Sequence, residues 1–325
     1  MAMDQAASRQ GGERGRQAST PAQLPATGWK DVLLRVYENI AEHRILAIAA
    51  GVTFYVLLAI FPAIAAFVAL YSLFADPATI SSHLEALSGV IPKEALGVIG
   101  DQLRRVSAQG AGALGFASVF GLLVSLWSAN AGMKAIFDAI NVVYQEREKR
   151  GFFKLNAVSL VFTLAGMSMV ALALAIMIAL PPALDALGLP QAMQTAVSLL
   201  RWPVLLIVVA LATAVIYRYA PSRDEPKWRW VSWGGAFAAL GWLAVSALFS
   251  WYAAHLGDFN KTYGSLGAVI GFMLWMWLSS IVLLIGAELN AEMEHQTEKD
   301  TTEGAPRPMG ERRARMADTI GPSAS

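Results

Sequence analysis

The sequence predicts an all-α, polytopic membrane protein with six transmembrane helices and with its N-terminus and C-terminus in the cytoplasm. Three observations predict it. Of the 325 residues, 56% are hydrophobic and only 15% charged, where soluble domains carry about 25% charged residues. The charges are confined to the ends and to short patches between long uncharged runs, and Lys and Arg gather in alternate connections.

A span needs about 20 apolar residues at 1.5 Å rise to cross a hydrocarbon core of about 30 Å. Stretches 45–74, 110–133, 155–180, 230–254 and 263–287 contain no charged side chain and reach that length. The uncharged stretch 202–217 is shorter, and becomes a fourth span at 197–219 if Arg201 snorkels to the interface. In lipid each backbone polar group must be satisfied within its own segment, so the runs are helices. Lys and Arg lie in the N-terminal segment (Arg9, Arg14, Arg16, Lys30, Arg35, Arg44), the second loop (Arg147, Lys149, Arg150, Lys154), the fourth loop (Arg218, Arg223, Lys227, Arg229) and the C-terminal tail. The opposite side holds Lys93, Arg104, Arg105, Arg201 and Lys261. Positive charge stays inside, which sets the orientation. Tyr217, Tyr219, Trp228, Trp230 and Trp233 mark the inner boundary, and Tyr71, Trp202, Trp251 and Tyr252 the outer.

Before the first span, residues 1–27 have few large apolar groups and are expected to be a disordered cytoplasmic tail. The first apolar run starts too late and is too long for a signal peptide. In 28–44, Trp29, Val32, Leu33, Val36, Tyr37 and Ile40 recur at helical spacing, which predicts an amphipathic interfacial helix. Pro62 falls midway through the first span and is expected to kink it. The outer loop 75–109 carries the stripe Leu96, Ile99, Leu103 and Val106, a short amphipathic helix. Pro181 and Pro182 are expected to end the third span, no internal repeat is evident, and 296–325 read as a second disordered tail.

The chemistry-bearing residues are few. There is no cysteine, and His43, His83, His255 and His295 fit no zinc spacing. No nucleotide-binding loop or nucleophile motif is present, so neither an enzyme, a metal, a cofactor nor a nucleic-acid partner is expected. One constellation stands out: Asn130, Lys134 and Asp138 are four apart and Asn141 three further on, all on one helix face at the inner boundary. The sixth span ends at the same boundary with Glu288 and Asn290. Ionisable groups there usually face the bundle and pair, so Lys134 is expected to pair with Asp138 or Glu288 in an inner polar cluster. Such a cluster suits ion or proton passage, or contact with a lipid head group. The plainer alternative is a Lys134 that has reached the interface, about 6 Å past its apolar run, and snorkels. Gly264, Gly267 and Gly271 offer a smooth face for close helix packing.

Several segments together resemble the YihY/BrkB family of bacterial inner-membrane proteins, formerly labelled ribonuclease BN-like. They are Ala49-Ala50-Gly51-Val52-Thr53-Phe54-Tyr55 with Phe61-Pro62, Leu126-Trp127-Ser128-Ala129-Asn130 with Asn141-x-x-Tyr144, and Tyr217-Arg218-Tyr219-Ala220-Pro221. The more specific ones are Asn260-Lys261-Thr262-Tyr263-Gly264-Ser265-Leu266-Gly267-Ala268 and Leu284-x-Gly286-Ala287-Glu288-Leu289-Asn290. Ser232-Trp233-Gly234 departs from the Ser-Pro-Gly expected there. The resemblance implies six spans and an inner-membrane location, and an association of some members with envelope lipid or lipopolysaccharide handling. The function expected is therefore transport or handling of an envelope lipid or amphiphile, with membrane lipids, and a lipid or lipopolysaccharide precursor, as partners. The alternatives are an ion- or solute-conducting transporter using Lys134, Asp138 and Glu288, and, far behind, a tRNA-processing ribonuclease.

Overall fold

A computed structural model describes residues 14–71, 116–186, 190–255 and 266–323. Its helices are α1 (Ala26–Glu42), α2 (Ile45–Tyr71), α3 (Phe116–Val143), α4 (Phe152–Ala186), α5 (Gln191–Tyr219), α6 (Trp228–His255), α7 (Gly267–His295) and the short α8 (Arg315–Asp318), with a 3₁₀ turn at Pro21–Gln23. The described residues form no strand, only an isolated bridge between Pro226 and Thr302. Among the described residues, five segments are long and apolar enough to cross a membrane: Ile45–Ile64, Phe152–Ala173, Gln191–Tyr219, Trp228–His255 and Gly267–His295. The second expected span corresponds to α3, and its first residues, 110–115, lie outside the described residues. So do the expected helix in 75–109 and the motif 260–265 with Gly264.

Two helix boundaries differ from expectation. Helix α4 does not stop at Pro181 and Pro182 but runs to Ala186. A proline costs a backbone bond, yet its fixed φ is already helical, so the chain can continue. Helix α5 starts earlier than expected, at Gln191, and runs through Pro203. Helix α2 is likewise continuous through Pro62.

Helix α7 is the centre of the packing, touching α1, α2, α3, α6 and α8. The main core joins Ile45, Ala49 and Val52 of α2 to Phe137, Ile140 and Val143 of α3, Tyr217 of α5, and Leu284 and Ala287 of α7. Gly267 and Gly271 are buried at the start of α7, as a packing face requires. The nearby Phe272 and Met276 pack on Val56, Leu57 and Ile60 of α2. Close approaches also occur at glycines that the periodicity did not single out. At Gly132 an added Cβ would lie 3.0 Å from the Ala59 Cβ, and at Gly235 2.7 Å from the Ala210 carbonyl oxygen. Trp277 and Trp275 donate across helices, to the Leu46 carbonyl (2.9 Å) and the Ser246 hydroxyl (3.0 Å).

Away from this core the helices present apolar side chains outward, among them Leu58, Phe120, Val161, Leu172, Leu211 and Leu248. In water such a surface would aggregate; in hydrocarbon it is the ordinary exterior. Helix hydroxyls satisfy themselves on the preceding turn. Thr53 donates to the Ala49 carbonyl (2.7 Å) and Ser159 to that of Leu155 (2.8 Å).

The described parts of the two terminal segments, 14–25 and 296–323, meet at one end of the bundle; the remainder of the expected tails lies outside the described residues. The Glu298 amide donates to the Arg16 carbonyl (2.8 Å) and Thr297 to that of Ala18 (2.6 Å). Further along, the buried Arg312 donates to the carbonyls of Ala317 (2.6 Å) and Glu298 (2.7 Å), and Met316 enters the main core. A few apolar side chains, Leu24 and Met316 among them, and hydroxyl and guanidinium bonds to backbone carbonyls hold these residues, a pattern that composition alone does not show. The α3–α4 and α5–α6 connections join the same end: the Arg315 amide reaches Glu146 (2.7 Å) and the Lys227 amide the Thr301 carbonyl (2.8 Å). We call this the tail end.

Candidate functional site

Two rows of polar residues face each other at the tail end. Asp31, Arg35, Asn39 and His43 fall four apart along α1 and its cap; Glu288, Glu292 and Gln296 fall four apart along α7 and its cap. That spacing lines each row along one helix face. The rows run antiparallel and close like a ladder. His43 Nδ1 meets Glu288, and Asn39 donates to Glu292 (2.9 Å) and Glu288 (3.4 Å). Arg35 pairs with Glu292 through Nε and reaches Gln296 Oε1 (2.8 Å), while Asp31 pairs with Arg14 (2.9 Å). Helix α1 thus buries Asp31, Arg35 and Asn39 together with Val32 and Val36, and turns Leu33, Leu34 and Tyr37 outward beside Lys30, Glu38 and Glu42, Tyr37 being 75% exposed. The hydrogen bond to Glu288 raises the pKa of His43 and outweighs burial, which lowers it.

The other face of α7 carries a second knot. Glu294 and Arg223, both with fully buried side chains, pair at 2.7 Å. Thr301 donates to Glu294 (2.8 Å), and the Arg223 guanidinium lies 4.1 Å from the centre of the Tyr144 ring. A buried charge is tolerable only with such partners. Asn290 accepts from the Gly234 amide (2.8 Å) and donates to the Val231 carbonyl (3.2 Å), fastening α7 to the first turns of α6. Asn141 accepts from the Ser222 amide (2.8 Å) and donates to Glu148 (3.2 Å).

The expected single cluster is therefore divided. Glu288 does not pair with Lys134; it takes His43 and Asn39 from α1. Lys134 does not take Asp138 either. Its ammonium donates to Asn156 Oδ1 (3.0 Å) and sits 5.1 Å from the Trp127 ring centre, while Asp138 is exposed. The cause is geometric: the Lys134 face of α3 meets α4, and α7 approaches other side chains. Lys134, Asp138 and Glu288 are thus not brought together in one cluster. Asn130 shares the Lys134 face, accepting from Thr163 of α4 (3.3 Å). Asn130, Lys134, Asn156, Ser159 and Thr163 make a polar seam between two helices whose outer surfaces are apolar. Phe152, which meets the Trp127 ring at 6.1 Å, and its neighbour Phe153 are both exposed, Phe153 to 86%. Among the described residues, no group of three or more His, Asp or Glu side chains is arranged to hold a metal.

Glu148 anchors the α3–α4 connection. Burial pushes its pKa up, but bonds from Arg150 and Asn141 win and hold it at about 2. A carboxylate lowered on folding contributes stability above its unfolded pKa, and that stability is lost as pH falls toward the folded value. The melting temperatures of wild type and Glu148→Gln should differ at pH 6 and converge between about pH 4.5 and 2; a constant difference across that window would remove Glu148 from acid stability.

Fold and site together define a multi-pass α-helical membrane protein with a tied polar end and one polar lateral seam. The chain belongs to the family described as virulence factor BrkB, whose profile matches residues 36–310. It is similar to the ribonuclease-like protein YfkH of Bacillus subtilis, with 33% identity over 53% of this chain and 64% of that protein. It is also similar to UPF0761 membrane proteins of Methylibium petroleiphilum (24% identity, 86% of this chain, 66% of that one) and Alkalilimnicola ehrlichii (27%, 86% and 62%). The chain thus spans under two thirds of the length of each of these relatives, or just about that share. No solved structure matches it.

Proposed function

We propose that this protein is a six-span, non-enzymatic protein of the bacterial inner membrane, with both tails cytoplasmic, that handles an envelope lipid or similar amphiphile. The lipid's head group meets the seam between α3 and α4. One observation carries this: Lys134, with Trp127 and Asn156, is a cation beside a lipid-exposed surface. Asn156 takes one of the three ammonium donors, and an anionic or polar head group can take the others while its chains lie along α4. The gathering of both tails and the α3–α4 and α5–α6 connections at one end supports an even number of passes. The concentration of Lys and Arg in those segments supports their cytoplasmic placement. The outward Leu33, Leu34 and Tyr37 suit α1 to the inner interface. No nucleic-acid substrate is included; ribonuclease-like is the name of a relative matched over about half of this chain.

Depleting the protein, with any paralogue also removed, should change the lipid distribution between the two bacterial membranes. Wild type should restore it, and Lys134→Ala, at equal abundance, should restore it about tenfold more slowly, the loss of about 1.4 kcal/mol of head-group contact. An unchanged lipid profile on depletion would sink the lipid reading; full rescue by Lys134→Ala would remove the seam from it.

A further inference from the structure

The two ion pairs on the α1–α7 ladder differ in kind. Arg35–Glu292 has its positive charge on a guanidinium, a group that does not give up its proton near neutrality. In His43–Glu288 the cation is an imidazole, which changes charge near neutrality. The histidine also occupies the position where loss of a contact moves most. It caps α1, the next residue, Arg44, turns the chain with φ 53°, and α2 begins at Ile45. Glu288, by contrast, lies on α7 at the centre of the packing, with its side chain fully buried.

We propose that His43 and Glu288 form a proton-binding site at the tail end, which docks the α1–α2 corner onto α7 when the imidazole is protonated and releases it when the proton leaves. The charged groups that act most on the ring are acidic: Glu288 and Glu292 from α7, and Glu42 from α1. From the α3–α4 connection comes the exposed Gln145 amide, 3.4 Å from the outward Nε2, which leaves that nitrogen near water. Gln145 in turn accepts from Arg315 of the C-terminal tail (3.2 Å), so the corner, the connection and the tail share one contact. With the ring neutral, the buried Glu288 retains Asn39 at 3.4 Å but loses its cation, and Glu292 stands one turn away. The sign follows from the raised pKa of His43. Docking is complete below the ordinary histidine value of about 6.5 and is lost as pH rises through the higher folded value.

The chain has no cysteine, so two spin labels can be placed without background. Glu38→Cys on the exposed side of α1 and Lys299→Cys just beyond α7 report the gap, in the full chain in phospholipid nanodiscs. The distance distribution should be narrow at pH 6 and lengthen and broaden by pH 9, with a midpoint above about 6.5. Below that midpoint the released fraction should rise about tenfold per pH unit. His43→Arg should keep the narrow distribution throughout, and His43→Gln should show no step. An unchanged wild-type distribution from pH 6 to pH 9 overturns the proposal. So does a step of undiminished size in His43→Arg, which would assign it to another group. The arginine variant keeps the test decisive even if the glutamine variant fails to fold.

Discussion

Replacing Arg223 by alanine should destabilise the protein by about 3–5 kcal/mol, because the Glu294 carboxylate would remain at zero side-chain exposure without its cation. The loss is measurable as thermal unfolding in detergent, followed by tryptophan fluorescence or by the fraction of monodisperse protein. Thr301 would still donate to Glu294, and that neutral bond is far too weak to replace a paired guanidinium. Glu294→Ala should cost a similar amount, stranding Arg223 over the Tyr144 ring. The informative variant removes both charges: Arg223→Met with Glu294→Leu should recover most of the loss, since the desolvation cost disappears with the pair. A single substitution costing under about 1 kcal/mol would mean that water reaches the pair.

Gly234→Ala should be as damaging for a steric reason. A Cβ there would lie 2.1 Å from the Gly286 carbonyl oxygen and 2.4 Å from the Asn290 amide nitrogen. Neither obstacle can yield cheaply. One is backbone, and the other already holds the Gly234 amide and the Val231 carbonyl. Helix α6 would have to back away from α7 and give up those bonds, at a cost of about 3 kcal/mol or more. Gly286→Ala should behave alike, its Cβ meeting the Tyr217 hydroxyl at 2.6 Å. Gly51→Ala and Gly166→Ala are the controls. Nothing lies within 4 Å of an added Cβ at either, so both should be neutral or gain about 0.5–1 kcal/mol of helix propensity. If all four substitutions melted alike, the α6–α7 contact would not be the tight one described.

Gly234 illustrates what a single sequence reveals. It stands in the segment Ser232-Trp233-Gly234, where the departure from Ser-Pro-Gly attracts attention to Trp233, yet the constrained residue is the glycine. The Gly267–Gly271 spacing was legible as a packing face, whereas the tight contact of Gly234 with Gly286 joins different helices and has no periodicity. The α1 row from Asp31 to His43 and the α7 row from Glu288 to Gln296 were equally visible as four-residue repeats. Their joining was not, because it spans up to 265 residues of chain, as between Asp31 and Gln296. Asn130, Lys134 and Asn141 share a helix face as their spacing requires, but they turn to three different partners.

By itself the sequence determined the solvent, and with it the secondary structure. Long uncharged runs belong in hydrocarbon, and hydrocarbon leaves a single chain segment little but the helix for its own amides and carbonyls. Family membership was equally local, carried by short motifs. The tertiary structure alone decided which buried charges meet, that Glu288 takes His43 rather than Lys134, and that the tail segments fold onto the bundle. Those outcomes turn on side chains brought within a few ångströms from remote positions, and the energy of such a contact depends on burial and geometry that composition does not encode.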